Sequence, residues 1–150
     1  MNFSLHFESV FAESDLIMRG IALTIGLSAT AIALGTCVAI LLVALRHLGN
    51  GAVRFGVDSY VELLRNTPFL VQLFMIFFGL PLLGLRMSGT QAALLAMTLN
   101  LSAYATEIIR AGVESIHRSQ IEAGLSLALS RLQVFRYVVL KPSISKVWPA

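Results

Sequence analysis

At 150 residues, with 57% hydrophobic and only 13% charged side chains and a mean hydropathy of +0.81, the chain is far more apolar than a soluble domain requires, and membrane spans are the first reading. The net charge of +3 does not point to nucleic acid, because the lysines and arginines are spread over the segments between apolar stretches and form no single basic face. One cysteine, Cys37, gives neither a disulfide framework nor a Cys/His metal spacing, and reads as a small packing residue within an apolar stretch.

Residues 1–19 mix Phe3, Leu5, Phe7, Val10, Phe11, Leu16 and Ile17 with Glu8, Glu13 and Asp15, and are expected on or near the outer membrane surface. Residues 20–45 follow, 26 positions without a charge. As a helix they would measure about 39 Å against a hydrocarbon core of about 30 Å, so they predict a tilted first span. The stretch is too long for a signal h-region and lacks a basic n-region, so it reads as uncleaved. Within it Gly20, Thr24 and Ser28 form a small-residue stripe that would let another helix approach closely. The run Arg46-His-Leu-Gly-Asn-Gly51 is a turn, with residues suited to positive φ. Thr67 and Pro68 predict a helix start, with the hydroxyl as N-cap and the proline as first helical residue.

Residues 68–85 are 18 uncharged positions interrupted by Pro81, and residues 87–106 are 20, so a second and a third span are expected. Ser88 with Gln91 is a capping box that opens the third. Past it, Glu107 with Arg110 and Arg110 with Glu114 are spaced for helical ion pairs. They suit either a solvated helix end or an element that relays motion.

The segment 119–142 reads as a helix-turn-helix hairpin. Ser119 with Glu122 is a capping box, and Ile121, Leu125, Ala128, Leu129 and Leu132 fall at helical spacing on one face. Ser130 with Gln133 repeats the box and opens a second helix, with Leu132, Phe135 and Val139 on one face and its end before Pro142. Capping alone is one account of these polar residues. The other is a docking element, since the apolar face has nothing obvious in this chain to bury against. Arg19 and Arg86 lie on one side of the spans and the remaining nine basic residues on the other, which puts the N-terminus outside and the hairpin inside.

Catalytic chemistry is not visible. There is no Gly-rich phosphate loop, so ATP binding is not expected of this chain. His6, His47 and His117 fall in three separate segments without ligand or triad spacing, no metal or cofactor is implied, and the spans hold no cluster of His, Asp or Glu for a membrane-embedded enzyme. Gln72, Asn100, Ser102 and Tyr104 are the polar groups in the spans. They stand either as candidates for a solute path or as interhelical hydrogen bonds that hold a bundle together.

The hairpin resembles the cytoplasmic loop of the membrane subunits of bacterial ATP-binding-cassette importers, specifically the polar amino acid uptake branch. That loop reads Glu-Ala-Ala, three residues, Gly, nine residues, Ile, one residue, Leu-Pro. Here Glu122, Ala123 and Leu140 match and Val138 is a near match, whereas Gly124 replaces an alanine, Ala128 replaces the loop glycine and the proline comes one residue late as Pro142. The run from Tyr60 through Arg65-Asn-Thr-Pro-Phe-Leu-Val-Gln72 to Gly79-Leu80-Pro81 resembles the same branch over a longer stretch, as does the segment from Leu99 to Ile116.

The resemblance implies an all-α, polytopic transmembrane bundle of the type I importer kind, read as one domain over 1–150. Val147-Trp-Pro-Ala150 resembles the entry to a fourth span, so the bundle reads as C-terminally incomplete without its fourth and fifth spans. It further implies coupling to a separate ATPase, in two copies, through Gln120, Glu122, Ala123, Gly124, Ala128 and Ser130. A second permease subunit, an extracytoplasmic solute-binding protein and an inner-membrane location complete the expectation. The alternatives are a permease for another small polar solute and a non-transporting truncated subunit.

Overall fold

The computed structural model describes residues 13–142 and 145. Most of the expected outer-surface segment, His6 and the Val147–Ala150 match lie outside the described residues. Among those described there are helices and turns and no strand. Helix α1 (Ser14–Leu48) is followed by α2 (Gly51–Arg65) and α3 (Phe69–Phe74), which continues through a π-helical stretch (Met75–Gly79) into a last turn (Leu80–Leu82). Then come α4 (Gly89–Glu114), α5 (Arg118–Ser126) and α6 (Arg131–Gln133), the last running into a second π-helical stretch (Val134–Leu140).

Two helices, α1 and α4, are each long and apolar enough to cross a membrane, and they form the main pair of the bundle. Phe69–Leu82 gives about 21 Å of helix and joins α2 across a bend of 103°, so that α2 with this segment is one broken span or a re-entrant element.

Small residues lie inside and large ones outside, the reverse of a soluble protein. On α1 the buried positions are Ala31, Gly35, Ala39 and Val43, four apart, while Leu23, Ile25, Ile32, Leu34 and Leu41 are exposed. Across from them α4 buries Ala92, Ala96 and Ala103. The approach is closest at Gly35, where a Cβ would stand 2.8 Å from Leu101 Cδ2 and 3.1 Å from its Cβ. This packing needs backbones close together, because lipid chains already solvate large apolar side chains. The stripe expected at Gly20, Thr24 and Ser28 runs along the same side of α1, towards its N-terminus: Ser28 is half-buried beside Ala31, in a cleft shared with Met97, Asn100 and Leu101, whereas Gly20 and Thr24 are exposed. Gly20 has nothing near its α-carbon, and the Thr24 hydroxyl donates back to Gly20 O at 2.8 Å.

Several local readings are corrected. Thr67 is not an N-cap: its hydroxyl donates backward to Leu63 O, and Pro68 precedes the first helical residue, Phe69. Around Gly49 and Asn50 no positive φ occurs; Asn50 instead caps α2, its side-chain oxygen accepting from Val53 N–H at 3.0 Å. Neither Pro81 nor Pro142 stops its helix, since helical backbone includes both. In each case the carbonyl four residues back, of Phe77 or Val138, lies inside a π-helical stretch. A proline ring clashes with that carbonyl in a regular α-turn, and a widened turn relieves the clash. The capping boxes at Ser88/Gln91 and Ser130/Gln133 form as read.

Candidate functional site

The hairpin packs onto the ends of α1 and α4. Helix α5 starts at Arg118 with His117 as its cap, Nδ1 of the imidazole accepting from Ser119 N–H at 3.3 Å. Ser119 therefore lies inside the first turn, its hydroxyl 2.8 Å from the same Nδ1, and the expected Ser119/Glu122 box does not form. The apolar face read from the sequence divides. Ile121 and Leu129 turn inward onto a cluster of Ala39, Val43, Ile109, Val134, Phe135 and Val139, so the chain itself covers part of that face. Leu125, Leu127 and Leu132 are exposed, Leu127 by 77%. Phe135 also packs its ring on His47, with centroids 5.4 Å apart.

Gly124 is where the two arms of the hairpin touch. A Cβ there would meet Val134 Cγ2 and Val138 Cγ2, both at 3.2 Å, so the glycine lets α5 lie against the second π-helical stretch. The turn that follows is a Schellman motif: Ala128 N–H donates to Leu125 O at 2.9 Å and Leu129 N–H to Gly124 O at 3.3 Å. Ala128 occupies its left-handed position with φ of +57°, the one described non-glycine residue with positive φ. Of the other residues tied to coupling, Gln120, Glu122, Ala123 and Ser130 are exposed. Gln120, Ala123 and Leu127 line one side of a groove of about 410 Å³ whose floor includes Gly124 and Val138.

Beside the hairpin, three arginines and three carboxylates alternate in a belt across α1, α2 and α4. Asp58 accepts from Arg46 at 2.6 Å, Arg46 lies 4.0 Å from Glu114, and Glu114 accepts from Arg110 at 2.8 Å. Arg110 also grips Glu107, which reaches Arg65 at 3.5 Å. The guanidinium of Arg65 lies over the Tyr104 ring at 5.7 Å. All of these groups except Glu114 line a cleft of about 540 Å³, joined there by Glu62 and Asn66. The two pairs within α4 were read from helical spacing. Arg46, Asp58 and Arg65 were missed as partners, because they meet only through the fold; the available signal was their position in helix turns flanking apolar runs.

The four polar residues of the spans do not gather at one point. Asn100 Nδ2 donates to Gln72 Oε1 at 3.4 Å, whereas Ser102 is fully buried, with its hydroxyl 2.7 Å from that of Tyr60 and donating to Leu99 O at 2.8 Å. Tyr104 is 44% exposed and lines the charged cleft. No group of three or more His, Cys, Asp or Glu residues placed to hold a metal occurs among the described residues.

Residues 31–150 match the profile of the binding-protein-dependent transport system inner membrane component family. The chain is 32% identical over 143 residues to the glutamine transport system permease protein GlnP of Escherichia coli (strain K12), covering 94% of this chain and 65% of that protein. It is also similar to the crystal structure of an amino acid ABC transporter with histidines, with a TM-score of 0.83 and 30% identity over 98% of this chain and 69% of that one. The chain spans 59 to 65% of the length of the curated relatives it matches.

Proposed function

The chain belongs to the family of binding-protein-dependent transport system inner membrane components, and on that premise we propose that it is a permease subunit of an ATP-driven importer of polar amino acids. In this reading the spans form part of the translocation path and the hairpin is the docking element for a separate ATPase, present in two copies. A second permease subunit and an extracytoplasmic solute-binding protein complete the assembly, with the N-terminus outside and the hairpin in the cytoplasm. Tyr104, exposed in the charged cleft, and half-buried Asn100, in a separate cleft between α1 and α4, are the path candidates with accessible surface. A zwitterionic solute needs a cation and an anion close together, and the belt offers both.

The observation that carries the proposal is the division of the hairpin's apolar face. Its inner side is rooted on α1 and α4, while Leu125, Leu127 and Leu132 stand out from it beside Gln120, Glu122 and Ala123. Exposed apolar residues on a rigid projection outside the membrane suit a protein partner. Glutamine is named for the Escherichia coli relative and histidines for the solved transporter, which supports an amino acid as the solute class.

The test is co-purification with the ATPase encoded beside this chain, comparing the wild type with Glu122→Lys and Ala123→Asp. Loss of the ATPase in the variants, with membrane insertion unchanged, is expected. Failure of the wild type to hold the ATPase would sink the reading and favour a non-transporting subunit.

A further inference from the structure

The bend between α2 and α3 has its own hydrogen-bonding logic. In an uninterrupted helix Leu64 O would accept from the N–H of residue 68, and that residue is Pro68, which has none. Leu64 O thereby loses its regular partner, the turn draws the Thr67 N–H away from Leu63 O, and Thr67 O lies in the linker; side chains supply all three carbonyls. The Thr67 hydroxyl donates to Leu63 O at 2.7 Å. Leu64 O keeps a 3.4 Å bond from Thr67 N–H and gains a 2.7 Å bond from Gln72 Nε2. The second hydrogen of the same amide nitrogen goes to Thr67 O at 2.8 Å. Gln72 is 5% exposed, and its remaining oxygen accepts from Asn100 Nδ2 on α4 at 3.4 Å.

We propose that Gln72 is a positioning residue whose amide takes the place of the N–H absent from Pro68, and so fixes the 103° bend that holds α2 against α4. Asn100 is the tether that sets the bend's register on α4. The bend is what brings Asp58 and Arg65 of α2 to the belt and Tyr60 to Ser102. Apolar or isosteric acidic side chains at 72 cannot do this, because neither donates two hydrogen bonds: Thr67 O would lose its donor and Leu64 O would keep only the backbone bonds of the turn, which is costly in partly buried surroundings. Under the transport reading, on which this second role rests, Gln72 is structural support for the path and need not touch solute.

The test uses the full chain in lipid nanodiscs with Cys37→Ser, carrying spin labels at Phe55→Cys on α2 and Phe78→Cys beyond the bend, both exposed positions. From helix rise and the bend, the backbone separation is about 20 Å, against about 35 Å for a straight helix. The wild type is expected to give one narrow short distance, and Gln72→Glu, which preserves side-chain volume, a broad distribution. Adding Pro68→Ala to Gln72→Glu restores the missing N–H and is expected to move the population to the long distance. A simple packing defect would not be redirected by that second change. A narrow short distance in Gln72→Glu overturns the proposal, as does a double variant indistinguishable from the single one. Retention of the ATPase by the wild type is scored separately, so failure of the transport reading and failure of the bend assignment give different results.

Discussion

Replacing Ala128 with glycine should strengthen the hairpin turn. At φ of +57° the alanine Cβ crowds the neighbouring carbonyl, which costs roughly 1–2 kcal/mol relative to a right-handed position. Glycine removes that crowding, and its greater freedom in the open chain takes back roughly 0.5–1 kcal/mol. The remaining gain is about 0.5–1 kcal/mol. Both Schellman bonds, from Ala128 N–H and Leu129 N–H, break when this turn opens. Their hydrogen exchange therefore reads the change directly, as a two- to fivefold slowing on the order of that energy. Ala128→Val should move the same amides the other way, since a β-branched side chain tolerates positive φ least. Amides within α4, such as that of Ala96, serve as the internal reference. Equal exchange in the glycine and valine variants would refute the reasoning, because it would mean that backbone strain at 128 does not govern the turn.

Two further substitutions separate packing from charge. Gly35→Val should destabilise the α1/α4 pair by about 1–3 kcal/mol in a denaturant titration in mixed micelles, while Gly20→Val, with nothing near it, stays within about 0.5 kcal/mol of wild type; equal effects would mean that Gly35 is not the point of closest approach. Arg110→Gln removes the shared partner of Glu107 and Glu114 and should lower thermal stability by about 1 kcal/mol at low salt, with the difference shrinking in molar salt; a gap indifferent to salt would assign the loss to packing.

Features governed by near neighbours in sequence were legible. The apolar runs placed α1 and α4, the serine boxes at 88 and 130 form, and the Glu107–Arg110–Glu114 spacing gives contacts. What stayed hidden on α1 is where along the helix the close contact falls. In a soluble helix polarity marks the buried side, but α1 is apolar all round, so side-chain size decides; Gly20, Thr24 and Ser28 mark the side that Ala31, Gly35 and Ala39 bury, yet the close approach comes further along, at Gly35. The capping competition at α5 was also hidden. Ser119 and His117 both offer an acceptor, and the imidazole, placed one turn edge earlier, reaches the Ser119 amide. The belt was half visible, since Arg46 and Asp58 are twelve residues apart and Arg65 and Glu107 meet only because the chain bends at Pro68.

Polar contacts concentrate where the spans end, and this has a mechanical consequence. Arg46 near the end of α1 and Glu114 at the end of α4 face each other, His47 packs on Phe135, and Ile121 and Leu129 pack against the apolar cluster beneath them. Between the hairpin arms Gly124 lets α5 come close to Val134 and Val138. The hairpin, the end of α1 and the end of α4 therefore share one apolar cluster. Close-packed contacts shift between discrete arrangements more readily than they stretch. Under the transport reading, a force applied at Leu125 and Leu127 would thus reach both long helices through the cluster that Ala39 and Val43 of α1 and Ile109 of α4 share with the hairpin. Helix α2 is held to the same pair by buried Val57 and Val61, by Tyr60 on Ser102, and by ion pairs from Asp58 to Arg46 and from Arg65 to Glu107.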